Sequence, residues 1–222
     1  VHLLTIRHEA QVFKSLRMMG VVVKDVYVPP GSAEGQHIRV SIKQIHPGQA
    51  RNVIAAIFAA IFGTLIPLIL DKYKIDHELM PCDPDFADTD AFCENYNIPK
   101  ENSGNTIIVA SKKEPYKYSA CIVTARYKLD VNKTVRKLMG VKRLSFASAD
   151  QTKLLTNMMI GGVTVIALPE DLDIYIDQNI LDLDYIFFGG GWRSQKLKLP
   201  TKELSKIPNT QFIKGLGIPL TI

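Results

Sequence analysis

The chain has 222 residues, 46% of them hydrophobic and 22% charged, with a net charge of +5 and a pI of about 9.0. Those values exclude a disordered chain and leave room for one large or two small folded domains. The three cysteines, Cys82, Cys93 and Cys121, form no CxxC pair, so neither a zinc site nor a disulfide framework is expected, and a reducing cytoplasm is the simplest setting. No secretory signal opens the chain, which begins at Val1 rather than Met.

Glu9 to Met19 reads as a helix ended by Gly20, and Val21 to Val28 as a strand. Pro29-Pro30-Gly31-Ser32 is a turn, His37 to Ile42 a second strand, and His46-Pro47-Gly48 leads into a helix from Gln49. His37 and His46 read as structural or surface residues rather than metal ligands. Val53 to Leu70 carries no charge over 18 residues, at the lower edge of what spans a bilayer (~20 residues). Gly63 and Pro67 interrupt it, and no aromatic belt or strong positive flank follows, so a membrane span is the weaker reading. Two helix pieces abutting near Phe62-Gly63 fit better and divide the chain into domains 1–62 and 63–222.

Beyond that seam, Leu65 to Tyr73 reads as helix, Asp76 to Met80 as extended chain, and Cys82-Asp83-Pro84 as a turn. Asp88 or Thr89 is expected to cap a helix running to Tyr96. Thr106–Ser111 and Ser119–Thr124 read as the strands of a hairpin, and Val131–Met139 and Asp150–Asn157 as helices. Val163–Leu168, Asp173–Ile176, Tyr185–Phe188 and Lys196–Leu199 read as strands, and Glu203 opens a last short helix. The fold class expected is mixed α/β, with a mostly antiparallel sheet covered by helices.

Charge is clustered. Residues 71–102 hold nine acids against three lysines, whereas residues 112–143 hold ten Lys or Arg against Glu114 and Asp130. A basic face suits a polyanion such as RNA, though solvated helix faces are often basic. Lys133, Arg136 and Lys137 share one face of the predicted helix and are the candidates for an acceptor-stem contact. Two glycine-rich turns, Gly161-Gly162 and Gly189-Gly190-Gly191, are each expected where an apolar strand ends. Glycine there lets backbone N–H groups approach an oxyanion or phosphate. Tight turns without a ligand are the competing reading.

Two resemblances follow from these runs. Val23-Lys24-Asp25-Val26-Tyr27-Val28-Pro29-Pro30, Val40-Ser41-Ile42-Lys43 and Pro47-Gly48-Gln49-Ala50-Arg51 resemble part of the UbiD-type decarboxylases. Those enzymes use a prenylated flavin with an Arg/Glu constellation, for which no matching residues are found here. The stretch 65–217 resembles the YbaK/ProX family, the editing domain of prolyl-tRNA synthetases. The matching runs include Ala87-Asp88-Thr89, Asn105-Thr106-Ile107-Ile108-Val109-Ala110, Leu129-Asp130-Val131-Asn132, Met159-Ile160-Gly161-Gly162-Val163-Thr164 and Gly189-Gly190-Gly191 with Arg193-Ser194.

The second resemblance implies a cytoplasmic hydrolase that deacylates mischarged aminoacyl-tRNA in trans, with no cofactor and no metal. The partner implied is the aminoacylated acceptor end of tRNA, not DNA. Gly161, Gly162 and Thr164 would form the loop around the ester carbonyl, with Val163 and Val165 beside it. Preorganised donors at such an oxyanion contribute about 3–4 kcal/mol. The nucleophile would be a water positioned by the substrate's ribose hydroxyl or by the pocket, since no Ser–His–Asp or Cys–His signature is present. Asn105 stands where many members carry lysine, and Val165 where many carry proline. Asp177, with an approximate family counterpart, would line the pocket, and Gly190 and Arg193 would contact substrate or RNA phosphate. The alternatives are a non-catalytic tRNA- or nucleotide-binding module, to which Asn105 and Val165 point, or a UbiD-like decarboxylase fragment.

Overall fold

The structure is a computed structural model that describes residues 66–220 and three short strands nearer the N-terminus. Those strands are β1 (Leu4–Thr5), β2 (Asp25–Tyr27) and β3 (His37–Arg39), which form an antiparallel sheet in the order β1-β3-β2. The chain divides into two compact units, Val1–Leu68 and Ile69–Ile222. The helices expected at 9–19 and from 49, and most of the apolar run 53–70, lie outside the described residues. No helix among the described residues is long and apolar enough to cross a membrane.

The second unit is built on strands. Helix α1 (66–72) leads into β4 (Glu78–Pro81), a 3-10 turn at Pro84–Phe86 and helix α2 (Thr89–Asn95). The hairpin β5 (Gly104–Ser111) and β6 (Tyr118–Thr124) follows, then β7 (Tyr127–Leu129). A wide helical turn over Val131–Val135 runs into α3 (Arg136–Leu138), then β8 (Leu144–Phe146) and α4 (Ala149–Thr156). The remaining strands are β9 (Asp173–Asp177), β10 (Tyr185–Gly189), β11 (Gln195–Pro200), β12 (Thr210–Ile213) and β13 (Gly217–Pro219).

The central sheet runs β12-β9-β6-β5-β8; β12, β9 and β6 are parallel, whereas β5 is antiparallel to both neighbours. A second, antiparallel sheet runs β10-β11-β4, and β13 pairs with β7. A parallel bridge from Ser103 to Phe187 brings the start of β5 beside β10. The mixed α/β class with mostly antiparallel pairing is the one expected. Val109, Cys121, Val123, Val135, Met139 and Tyr175 pack the core over one face of the central sheet. Burying such side chains contributes about 1.5–3 kcal/mol each.

Three local readings are corrected. Val163–Leu168 is a buried loop rather than a strand. Val163, Val165 and Ile166 are buried, but the segment's donors turn to local acceptors: Thr164 N–H to Met158 Sδ at 3.4 Å and Ile166 N–H to Thr164 Oγ1 at 3.3 Å. Ala167 then takes a positive φ of 61°, which ends any extended run. The basic helix at 131–139 opens as a wider turn, with Val135 N–H reaching back to Asp130 O at 3.1 Å. The Asp130 carboxylate accepts from Lys133 N, Thr134 N and the Thr134 hydroxyl, which fixes that opening. The α spacing that put Lys133 in register with Arg136 and Lys137 therefore does not hold through the first turn. Finally, the first glycine turn follows α4, not a strand; only Gly189 closes one.

Candidate functional site

A small cleft, with a cavity volume of about 60 Å³, opens where β5, α2, β10 and β11 meet the Gly161 loop. Its walls come from the N-terminal end of α2 (Thr89, Phe92), the start of β5 (Gly104, Asn105, Thr106) and the end of β10 (Phe187, Phe188, Gly189). Gly161 and Val163 close one side, and Lys196 of β11 another. No His, Cys, Asp or Glu is in this lining. Phe92 and Phe187 meet edge to face with centroids 5.6 Å apart, giving the cleft a rigid aromatic floor.

The polar groups of the cleft differ in how far they are satisfied. The Thr89 hydroxyl donates to Asn105 Oδ1. The Thr106 hydroxyl is buried and makes no hydrogen bond, a state that costs about 1–3 kcal/mol. Lys196 is only 6% exposed. Its Nζ donates to Ala87 O at 2.6 Å and lies 4.6 Å from the Phe92 ring centroid. Burial holds the Lys196 ammonium below the ordinary lysine range.

The loop is set by its flanks. Ser148 and Gln151 form a reciprocal capping box at the start of α4, and Asn157 ends that helix with a φ of 57°. The chain then turns through Met158 to Gly161, whose φ of 85° favours glycine. The N–H groups of Gly161 and Val163 donate to no acceptor among the described residues. The Gly162 N–H is taken by Met159 O at 2.9 Å.

The two glycine turns pack against each other. Gly191 N–H donates to Gly162 O at 2.8 Å, and Gly190 N–H to Gln195 O at 3.0 Å. A Cβ on Gly189 would lie 2.5 Å from the Gly162 carbonyl carbon and from Val163 O. A Cβ on Gly162 would lie 2.7 Å from the Trp192 carbonyl carbon. Glycine is required here because two backbones cross in contact.

Arg193 locks that crossing. Its five N–H donors make five bonds: two to Pro84 O at 3.1 and 2.8 Å, two to the Asp88 carboxylate at 2.9 and 3.2 Å, and one to Ile160 O at 3.2 Å. With all five donors engaged inside the protein, Arg193 acts as a structural clamp in this structure. Asp88 stands at the N-cap of α2 but makes no capping bond, because its carboxylate serves Arg193. The hydrogen bond from Arg193 holds that carboxyl below the usual carboxylate range.

Of the other residues expected at the site, Asn105 and Val163 line the cleft together with Gly161. Thr164 does not: it is fully buried, with its hydroxyl accepting from Ile166 N–H. Val165 is buried behind the loop, and Gly190 packs on Gln195. Asp177 is buried away from the cleft, accepting from Asn179 N–H at 3.0 Å and Gly217 N–H at 2.6 Å. It ties β9 to β13 and is neither a lining residue nor an exposed acid. Lys133, Arg136 and Lys137 are exposed. Sequence reasoning missed Lys196, Thr89, Thr106 and the Phe92–Phe187 pair. The alternation Lys196-Leu197-Lys198-Leu199 was a signal, since it places both lysines on the strand face opposite two core leucines.

Comparison with known proteins bears on this cleft. Residues 83–207 match the family of the aminoacyl-tRNA editing domain, more than half of the chain and every residue of the cleft lining. The chain belongs to that family, and its class of activity is aminoacyl-tRNA deacylation. Residues 1–74 match the 3-octaprenyl-4-hydroxybenzoate carboxy-lyase C-terminal domain. Among solved structures, the chain is similar to a candidate trans-editing enzyme for prolyl tRNA synthetase, at 17% identity and a TM-score of 0.59, covering 69% of this chain and 95% of that one. It is also similar to hypothetical protein APE2540, at 18% identity and a TM-score of 0.62, covering 69% and 99%. At such identities the likeness is one of fold.

Proposed function

We propose that this cleft hydrolyses the ester between a small amino acid and the terminal ribose of a mischarged tRNA, in trans and without a metal ion. The observation that carries the reading is the pair of unused N–H groups, on Gly161 and Val163, in two residues that line a cleft whose lining holds no acid, histidine or cysteine. An ester under attack by water passes through a tetrahedral oxyanion, and two preorganised donors suit that charge. With no side-chain base in the lining, the attacking water is oriented by the substrate's own ribose hydroxyl. A cavity of about 60 Å³ suits a side chain of few heavy atoms, such as alanine, serine or cysteine.

In this reading residues 63–222 form the editing domain and residues 1–62 a separate domain. Exposed Lys133, Arg136 and Lys137 contact the acceptor stem by charge. The test is deacylation by the full chain of tRNAs misacylated with alanine, serine and cysteine. Release of at least one amino acid well above the buffer rate is expected. Binding of tRNA with no release from any of the three would leave a non-catalytic module instead.

A further inference from the structure

We infer that Lys196 is a further anion-binding group of the cleft, its ammonium joining the glycine-loop N–H groups at the oxyanion that develops on the ester carbonyl and then receiving the carboxylate of the released amino acid. The inference rests on the hydrolytic reading above and assigns it a residue outside the glycine loop.

Lys196 is the one charged side chain in the cleft lining, and it is almost wholly buried. Among the described residues no carboxylate lies within 4.0 Å of its Nζ. The acids nearby are committed: Asp88 to Arg193 at 2.9 Å, and Glu78 to Lys198 at 3.2 Å. Lys198 makes the contrast. It sits two residues along the same strand, also over aromatic rings, yet it is more exposed and has its carboxylate. Lys196 has the Ala87 carbonyl and the Phe92 ring as its direct partners, with Cys82, Cys93, Asp88 and Arg193 as the titratable and charged groups around it. A buried ammonium so partnered is under-compensated, and an anion arriving in the cleft completes its shell.

The reaction supplies such an anion twice. The water oxygen bonds to the carbonyl carbon, and the C=O electron pair moves onto oxygen beside the ammonium. The intermediate then collapses with the carbon–ribose oxygen bond broken, and the ribose oxygen leaves with a proton that came from the attacking water. The free acid gives its remaining proton to solvent, and the carboxylate stays against Lys196.

The test uses the full chain with Lys196→Met and Lys196→Arg in single-turnover deacylation. Lys196→Met is expected to slow the step at least about 100-fold, with tRNA affinity unchanged and melting temperature equal or higher, because an under-compensated buried charge is gone. The wild-type rate should fall at alkaline pH as the ammonium is lost. That limb should vanish in Lys196→Arg, whose side chain stays charged. Unchanged turnover in Lys196→Met would overturn the inference, as would a rate loss that only follows a lowered melting temperature. If the wild type deacylates nothing, the hydrolytic reading fails, and Lys196 is read separately by titrating acetate and acetamide against its ¹³Cε resonance. A saturable shift with acetate alone supports the anion site, and no shift with acetate removes it.

Discussion

The two glycine turns are built from the same residue type and lie in contact, yet they do opposite things. Gly161-Gly162-Val163 bends with a positive φ at Gly161, lines the cleft through Gly161 and Val163, and leaves the N–H groups of those two residues without an acceptor among the described residues. Gly189-Gly190-Gly191 has both of its later N–H groups engaged, Gly190 with Gln195 O and Gly191 with Gly162 O of the first turn, and presses its backbone against that turn. The second turn holds the first in place, with Arg193 bonded to Ile160 O on one side and to Pro84 O and Asp88 on the other. Glycine content alone therefore does not mark an anion cradle; what counts is whether the N–H groups already have acceptors.

The comparison can be broken most severely at Gly189. A methyl group there meets backbone atoms at 2.5 Å, which cannot swing aside. Gly189→Ala should destabilise the protein by about 3 kcal/mol, lowering the melting temperature by about 6–12 °C in a thermal melt.

A milder break acts on the clamp through pH. The Asp88 carboxyl is held low by Arg193, so its contribution is fully present above the usual carboxylate range. It is lost as pH falls through the depressed folded value. Asp88→Asn should make the acid-side decline in stability shallower than in the wild type, the remainder coming from the likewise depressed Asp130 and Glu203; thermal melts across an acidic pH series compare the two. The expected effect is under about 1 kcal/mol because the Asp88 side chain is largely exposed.

The smallest effect belongs to the exposed basic residues. Replacing Lys133, Arg136 and Lys137 together with Ala should not change the melting temperature. It should weaken tRNA binding several-fold and reduce the slope of log K against log salt by about 2–3, measured by filter binding at several salt concentrations.

Much of this arrangement was legible in the chain. The strands β5, β6, β9, β10 and β11 announced themselves by short apolar runs between turn residues, and α4 was expected as a helix over Asp150–Asn157. The run after Gly162 misled because an apolar segment buried as a loop has the same composition as a buried strand. Only its partners distinguish the two, and those are Met158 and Thr164 rather than a neighbouring strand. Strands β12 and β13 are four and three residues long and gain their place from β9 and β7, so no local pattern marks them. At the site, Asn105, Gly161 and Val163 were found from the family runs. Lys196 escaped because a lysine in a strand reads as solvent-facing until the ring of Phe92, over 100 residues away in sequence, is placed beneath it.

The most direct test removes one hydrogen-bond donor and nothing else. Replacing the amide at Val163 by an ester, through incorporation of the α-hydroxy analogue of valine, deletes the N–H while keeping the side chain. Single-turnover deacylation of the misacylated tRNAs should then be slower by about 10²–10³ than for the native chain, with the melting temperature nearly unchanged. Equal rates for the two proteins would contradict the role given to the Gly161–Val163 turn.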